Sequence, residues 1–309
     1  MRVVLSMSPH PRPVTRRRLL IGGGTAALAG AAALGGVEAE VLPGKAWLYH
    51  HLGRDGADGV LPDVEPAPVT AGAFDSAARG RQVGWALARP TGVPTAGLPL
   101  VLALHGRGQD HTSAFRPDRM GLDRYLADAV RRGVPPFAIA SVDGDATYWH
   151  DRADGDRAET MLVDEFLPLL AAGHGLATDR IALVGWSMGG VGVLHLATAL
   201  GPDRVAAVAA LSPALWHRYD ETAPGAYDDA ADFRRVGVMG RQDELDRIAV
   251  RVDCGKGDPF YATTRDYVAG FAAGREPAGG FGLGDHDSGY WRRMVPGVLR
   301  FLGEGLASQ

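Results

Sequence analysis

Cysteine is almost absent from this sequence: Cys254 is the only one in 309 residues. A single cysteine forms no internal disulfide, and it cannot supply the ligand set of a structural zinc site. The chain also lacks an HExxH motif, and the adjacent pair His50-His51 suits neither a helix face nor a strand face. The acidic run at 220–232 is typical of a solvated loop rather than a calcium loop. No Gly-x-Gly-x-x-Gly follows a strand-like run. We therefore predict no metal and no cofactor.

Long apolar runs are also scarce, except near the start of the chain. The arginines at 16–18 precede a weakly apolar Ala/Gly/Leu run that ends at Val37-Glu38-Ala39, a small-residue cleavage site. This order predicts a twin-arginine export signal over residues 1–39. Retention as a membrane anchor is the alternative, because residues 19–37 are just long enough to span a bilayer. We expect the export machinery as a partner and an extracellular, periplasmic or cell-envelope location.

Positive charge is in short supply in the remainder of the chain. Removing residues 1–39 takes five arginines and one glutamate from the 32 basic and 36 acidic side chains, which leaves a formal net charge of −8. No basic stripe follows the signal, and nucleic-acid binding needs one. We therefore predict no nucleic-acid partner. The oligomeric state is left open by the sequence.

The apolar pattern predicts one α/β domain over residues 40–309. A hydrophobic content of 46% with 22% charged residues is typical of a globular protein with one large core. Continuous apolar runs predict buried strands, and amphipathic stretches between them predict helices, so we expect a mostly parallel sheet flanked by helices. The predicted strands are 81–90, 98–106, 136–144, 181–185, 205–213 and 247–255. The predicted helices are 123–132, 158–175, the segment after Ser187 and 290–306. Residues 40–67 form an extended lead-in, and 214–246 could hold a small helical cap.

The stretch Gly185-Trp186-Ser187-Met188-Gly189 lies where an apolar strand gives way to an apolar helix. Gly-x-Ser-x-Gly at such a turn is the nucleophile elbow of α/β-hydrolases, which lifts the serine hydroxyl clear of the sheet. The alternative is a glycine-rich turn whose serine only caps a helix. The apolar strand before it and the apolar helix after it favour Ser187 as a nucleophile.

A nucleophilic serine needs a base, and in this fold the order along the chain is serine, acid, histidine. Three histidines follow Ser187. His195 lies inside the elbow helix, where packing is expected, and His217 comes too early for the order. His286 lies in a glycine-rich loop before the last helix, and we predict that it is the base.

The acid is expected in the loop after the strand at 247–255. Asp253 still belongs to the strand end, whereas Asp258 lies farther out, before Pro259-Phe260, and is favoured. The predicted oxyanion donors are the backbone N–H of Met188, directly after the nucleophile, and that of Arg107, in the loop after the strand at 98–106.

These pieces together resemble the α/β-hydrolase esterases that include S-formylglutathione hydrolase, feruloyl esterases and secreted mycolyltransferases. The resemblance covers about residues 80–305 and depends on the motifs at 105–106, 185–190, 253–260 and 284–291 and on the terminal VLRFL. It implies an acyl-ester reaction, and it supports Asp258 as the acid and His286 as the base. His105 is then structural. In the similar segment 148–156, packing by Tyr148 and Trp149 and contact with substrate are equally open.

Three functions remain in competition. The first is an exported serine esterase that hydrolyses a small-molecule, lipid or carbohydrate ester through an acyl-enzyme on Ser187. The second is an acyltransferase that passes the same acyl group to a sugar or lipid alcohol. The third is a non-catalytic cell-envelope protein that keeps the fold. No member of the predicted triad is missing, which favours the enzymes.

Overall fold

The computed structural model describes residues 51–308 except residue 54. The predicted export signal at 1–39 and the first part of the lead-in lie outside the described residues. The rest of the lead-in, up to β1, holds no strand.

A sheet of eight strands forms the centre of the fold. Its spatial order is β1-β2-β4-β3-β5-β6-β7-β8. β1 pairs antiparallel with β2, and β2 with β4, whereas all the other neighbours are parallel. The strands are β1 (Val69–Ser76), β2 (Arg81–Ala88), β3 (Pro99–Leu104), β4 (Ala138–Val142), β5 (Ala177–Trp186), β6 (Val205–Leu211), β7 (Ala249–Gly255) and β8 (Ala278–Gly282).

Helices follow most of the strands. They are α1 (Leu122–Arg131), α2 (Ala158–Thr160), α3 (Leu167–His174), α4 (Met188–Leu200), α5 (Ala230–Val236), α6 (Tyr261–Ala269) and α7 (Ser288–Ala307). A π-helical turn, Met161–Phe166, joins α2 to α3, and short 3₁₀ turns lie at His111–Ala114, Tyr219–Glu221 and Gln242–Leu245. The predicted mostly parallel sheet with flanking helices is confirmed. None of the described helices is both long and apolar enough to cross a bilayer.

Each central strand contributes to a core on both faces of the sheet. In β3, Leu100, Leu102 and Leu104 pack on one side, with the elbow helix α4, and Val101 and Ala103 pack on the other, with α1 and α7. Successive side chains of a strand point to opposite faces, so a strand covered on both faces must be apolar throughout. This is why a continuous apolar run marked the strand in the sequence.

The carboxyl ends of the parallel strands meet at one edge of the sheet. The loops after β3, β5 and β7 and the loop between β8 and α7 therefore converge there, which is where open α/β sheets bind their ligands. The cap segment between β6 and β7 consists of α5 and two 3₁₀ turns.

Candidate active site

The turn between β5 and α4 holds Ser187 in a strained backbone conformation. Its φ of 57° and ψ of −118° are rare for a residue with a side chain. The flanking glycines are required by close backbone contacts. A Cβ on Gly185 would lie 2.1 Å from the carbonyl oxygen of Gly189, and a Cβ on Gly189 would lie 1.9 Å from the carbonyl oxygen that ends β3. The turn therefore closes only with glycine at both positions.

A continuous hydrogen-bonded chain runs from Ser187 to Asp258. The hydroxyl Oγ of Ser187 lies 2.8 Å from Nε2 of His286, and Nδ1 of His286 lies 2.8 Å from Oδ2 of Asp258. Because an ionised carboxylate can only accept, Nδ1 carries the ring proton, and Nε2 is free to accept from the serine hydroxyl. The structure thus brings together the three predicted side chains, which are far apart in the sequence.

The two ends of this chain differ in their exposure to solvent. The side chain of Asp258 is fully buried, and its other oxygen accepts the N–H of Phe260 at 2.8 Å. The imidazole of His286 is 23% exposed and lies between the rings of Phe260 and Trp291, at centroid distances of 5.3 and 5.2 Å. The carboxylate is held rigidly inside the protein, whereas the imidazole reaches the surface at the serine.

Asp253, the alternative candidate for the acid, forms an ion pair with a different residue. It lies within β7, is buried, and forms a bidentate ion pair with Arg251, at 2.7 and 3.1 Å. Burial raises the pKa of Asp253 despite this partner. Asp253 makes no contact with His286, so Asp258 is the carboxylate that the geometry offers to the imidazole.

The loop after β3 packs directly against the elbow. A Cβ on Gly106 would lie 3.4 Å from the Cβ of Ser187, so the next residue, Arg107, is beside the serine. On the other side Met188 opens α4, and the first N–H groups of a helix have no partner within it. The guanidinium of Arg107 donates to the carbonyl of Pro224 in the cap at 2.9 Å. The N–H groups of Met188 and Arg107 are thus both carried by backbone next to Ser187.

His105 is a structural residue of this loop. It is fully buried, its Nδ1–H donates to the carbonyl of Gly106 at 2.9 Å, and its Nε2 accepts the N–H of Gly144 at 3.0 Å. Burial lowers the pKa of His105, which keeps the ring neutral and able to accept at Nε2. The histidine therefore links the loop after β3 to the loop after β4.

Sequence reasoning missed two further anchors of the same loop. The indole Nε1–H of Trp186 donates to Oε1 of Gln109 at 2.7 Å, which joins the residue before Ser187 to the loop after β3. Asp143, after β4, accepts both the backbone N–H and the Nδ1–H of His111, at 2.8 and 2.7 Å. The bond to Asp143 raises the pKa of His111. Both contacts join segments that are distant in the sequence, so no local sequence pattern predicts them.

The segment 148–156 contributes packing, and its contact with substrate stays a prediction. Trp149 is fully buried, its indole N–H donates to the carbonyl of His105 at 3.2 Å, and it fills the space above Gly192, so it packs. Tyr148 is also buried, and its ring packs against those of Trp216 and Tyr227 at centroid distances of 5.7 and 6.1 Å. It begins a row of four aromatic side chains, here called the aromatic wall, that ends at His286. The wall consists of Tyr148, Trp216, Tyr227 and Phe260.

The remaining histidines of interest have partners away from Ser187. His195, in α4, pairs with Glu159 at 2.9 Å, which fits the predicted packing role, and the exposed His217 pairs with Asp266 at 3.3 Å. His150 is buried against Asp232 of the cap, which the sequence did not reveal. Across the described part of the chain, no three His, Cys, Asp or Glu side chains gather as a metal site requires. The absence of a metal stays a prediction.

Solved structures of esterases share this architecture. A ferulic acid esterase has a TM-score of 0.67 at 20% identity, covering 78% of this chain and 99% of that one. An S-formylglutathione hydrolase from Agrobacterium tumefaciens has a TM-score of 0.62 at 15% identity, covering 82% and 100%. A fluorophosphonate-binding serine hydrolase from Staphylococcus aureus has a TM-score of 0.61 at 17% identity, covering 77% and 99%. At these identities the likeness shows the fold, which confirms the predicted α/β-hydrolase architecture.

Sequence comparison supplies the family. Among curated proteins none matches this chain. The family model described as Esterase, by contrast, matches residues 76–299, which is most of the chain and includes every strand from β2 to β8. The matched range contains Ser187, Asp258 and His286. The chain belongs to the esterase family and is a hydrolase, as the resemblance in its motifs implied.

Proposed function

We propose that the protein is a serine esterase that works through an acyl-enzyme on Ser187. The observation that carries the proposal is the unbroken chain from the Ser187 hydroxyl through His286 to the buried Asp258, with 2.8 Å at each step. A serine hydroxyl is a poor nucleophile until a base takes its proton, and this geometry supplies the base and the group that orients it.

Each step of the reaction has a residue in place. Oγ of Ser187 bonds to the ester carbonyl carbon while its proton passes to Nε2 of His286. The carbonyl oxygen becomes an oxyanion, which the N–H groups of Met188 and Arg107 stabilise. The bond to the alcohol then breaks, and His286 returns the proton to the leaving oxygen. Water then bonds to the acyl carbon while its proton passes to His286, the bond to Oγ breaks to release the acid, and His286 returns the proton to Ser187. Asp258 holds the ring tautomer and stabilises the imidazolium throughout.

Hydrolysis is favoured over acyl transfer because Ser187 and His286 are partly exposed to solvent. Water therefore reaches the acyl-enzyme from the open side of the site. The substrate is proposed to be a small-molecule, lipid or carbohydrate ester. Adding a sugar or lipid alcohol to the assay separates the two reactions, since a transferase forms a new ester and an esterase releases free acid.

The test of catalysis uses the full chain with p-nitrophenyl acetate and a fluorophosphonate probe. We expect turnover and labelling at one site, and Ser187→Ala should remove the label and lower kcat by roughly 10⁶-fold. Ser288→Ala, two residues after His286, is the matched control and should keep both. Absence of label and turnover in the wild-type protein would leave the non-catalytic cell-envelope protein as the better reading.

We further propose that residues 1–39 direct export through the twin-arginine machinery. The arginine cluster at 16–18, the apolar run and the small-residue site at 37–39 support this proposal. Replacing Arg16 and Arg17 by lysine should retain the protein in the cytoplasm, whereas Arg12→Lys, outside the cluster, should leave export unchanged. Equal export of both variants would contradict the proposal. The mass of the exported protein reports whether the signal is cleaved or kept as an anchor.

A further inference from the structure

A cavity of about 240 Å³ borders the aromatic wall, since Trp216 and Tyr227 belong to both. Its lining is largely apolar and includes Val191, Leu215, Trp216, Tyr227, Phe233 and Met239. His217, Arg234 and Arg241 also line it, and of these His217 and Arg234 are exposed. The reaction steps above make no use of this space.

Backbone hydrogen bonds connect one side of the cavity to Ser187. The N–H groups of Val191 and Ala214 both donate to the carbonyl oxygen of Ser187, at 3.3 and 3.0 Å. Val191 and Leu215, the residue after Ala214, then form part of the cavity lining. Phe260, which packs on His286, does not line it. The cavity therefore begins about one turn of α4 beyond Ser187.

Trp216 separates this cavity from the catalytic serine. It belongs to both the wall and the lining, and its ring contacts those of Tyr148 and Phe260 at centroid distances of 5.7 and 5.5 Å. Its indole N–H has no hydrogen-bond partner within the described residues, unlike those of Trp149 and Trp186, which are both bound. Packing against neighbouring rings, with no hydrogen bond from the indole, therefore holds the half-buried ring in place.

We propose that this cavity is the acyl-chain subsite of the esterase and that Trp216 is its gate. The proposal rests on the proposed function of Ser187 and adds a substrate class, esters of unbranched fatty acids. A methylene group takes up about the volume of a water molecule in the liquid, roughly 30 Å³, so the cavity matches a chain of about eight carbons. Burial of each methylene in an apolar site is expected to raise kcat/KM by about fourfold at most.

The experiment measures kcat/KM of the full-length protein for p-nitrophenyl acetate and p-nitrophenyl octanoate, and uses their ratio. The wild-type protein should prefer octanoate by at least about tenfold. Met239→Trp fills the cavity and should abolish that preference, whereas Trp216→Ala removes the gate and should increase it. Tyr219→Ala changes an exposed aromatic residue of the same segment that does not line the cavity, and should leave the ratio unchanged.

A ratio that Met239→Trp does not lower would overturn the proposal, even if Trp216→Ala fails to fold. A second series, the acetate esters of ethanol and 1-octanol, separates the two halves of the substrate. If the variants alter the preference for alcohol length instead of acyl length, the cavity is an alcohol subsite and the assignment is wrong. Labelling of Ser187 by a fluorophosphonate, together with turnover of the acetate, shows independently that the proposed catalysis holds.

Discussion

Replacing Asp258 by asparagine tests the proposed proton path with almost no change in shape. In the structure one carboxylate oxygen accepts the N–H of Phe260 and the other faces Nδ1 of His286. The amide of asparagine keeps its oxygen toward the N–H of Phe260, since two donors would otherwise meet there. Its NH₂ group then faces the ring, and Nδ1 must become the acceptor. The ring proton moves to Nε2, where it blocks acceptance of the Ser187 proton.

The wrong tautomer of His286 sets the expected magnitude. A change of this kind in a Ser-His-Asp triad lowers kcat by about 10⁴-fold, which corresponds to about 5.4 kcal/mol of transition-state stabilisation. KM should change by less than about threefold, because the buried Asp258 is out of reach of the substrate. The loss should therefore appear almost entirely in kcat.

The assay is steady-state hydrolysis of p-nitrophenyl acetate by Asp258→Asn, beside Asp285→Asn as the matched control. Asp285 accepts the backbone N–H of His286 at 2.8 Å but does not contact the ring, and an amide oxygen can accept the same bond. The control should stay within about threefold of the wild-type kcat. Urea midpoints show whether both variants are folded. If Asp258→Asn keeps more than a tenth of the activity, or if the control loses as much, the proton path is wrong.

Three further predictions concern the surroundings of the site. Gln109→Leu removes the acceptor for the indole N–H of Trp186 and should lower kcat about tenfold at nearly constant KM. Gln109→Glu keeps an acceptor and should keep most of the activity. Equal kcat values in the two variants would argue against a positioning role for Gln109. Gly189→Ala places a Cβ 1.9 Å from a backbone oxygen and should lower the free energy of unfolding by about 3 kcal/mol or more. A Cβ at Gly173 meets no atom within 4 Å, so Gly173→Ala should raise the free energy of unfolding by roughly 0.5–1 kcal/mol. Urea titrations measure both changes. The raised pKa of His111 stabilises the fold fully below the unfolded pKa of about 6.5, and this stabilisation is lost as pH rises through the folded pKa. His111→Asn should therefore be more destabilising at about pH 6 than at about pH 9, and a pH-independent difference would refute the assignment.

The central strands were predictable because burial on both faces leaves a continuous apolar run in the sequence. The edge of the sheet was not. β8 reads Ala-Gly-Gly-Phe-Gly, a sequence with little strand preference, and it is a strand because its backbone pairs with β7 from Ala278 to Gly282. β1 is largely exposed and was also missed, as was α6, whose apolar pattern is weak.

In the candidate site, too, some residues were predictable from the sequence and others were not. The turn at Ser187 has a local signal, because glycine is required where backbones touch, and chain order then led to His286 and Asp258. Trp186–Gln109 and His150–Asp232 join residues 77 and 82 positions apart, and neither partner is unusual in its own neighbourhood. Such contacts depend on how the strands are ordered in the sheet, which local patterns do not determine.

Cys254 gives this molecule a built-in reporter of its own opening. The thiol is fully buried in β7, the burial raises its pKa, and it is the only thiol in the chain. A thiolate forms, and alkylation proceeds, only when the structure around β7 opens and exposes the thiol. The rate at which a thiol reagent labels the native protein therefore measures the frequency of that opening, with no engineered probe. A bound ester analogue that stabilises the loop after β7 would lower the rate of Cys254 alkylation.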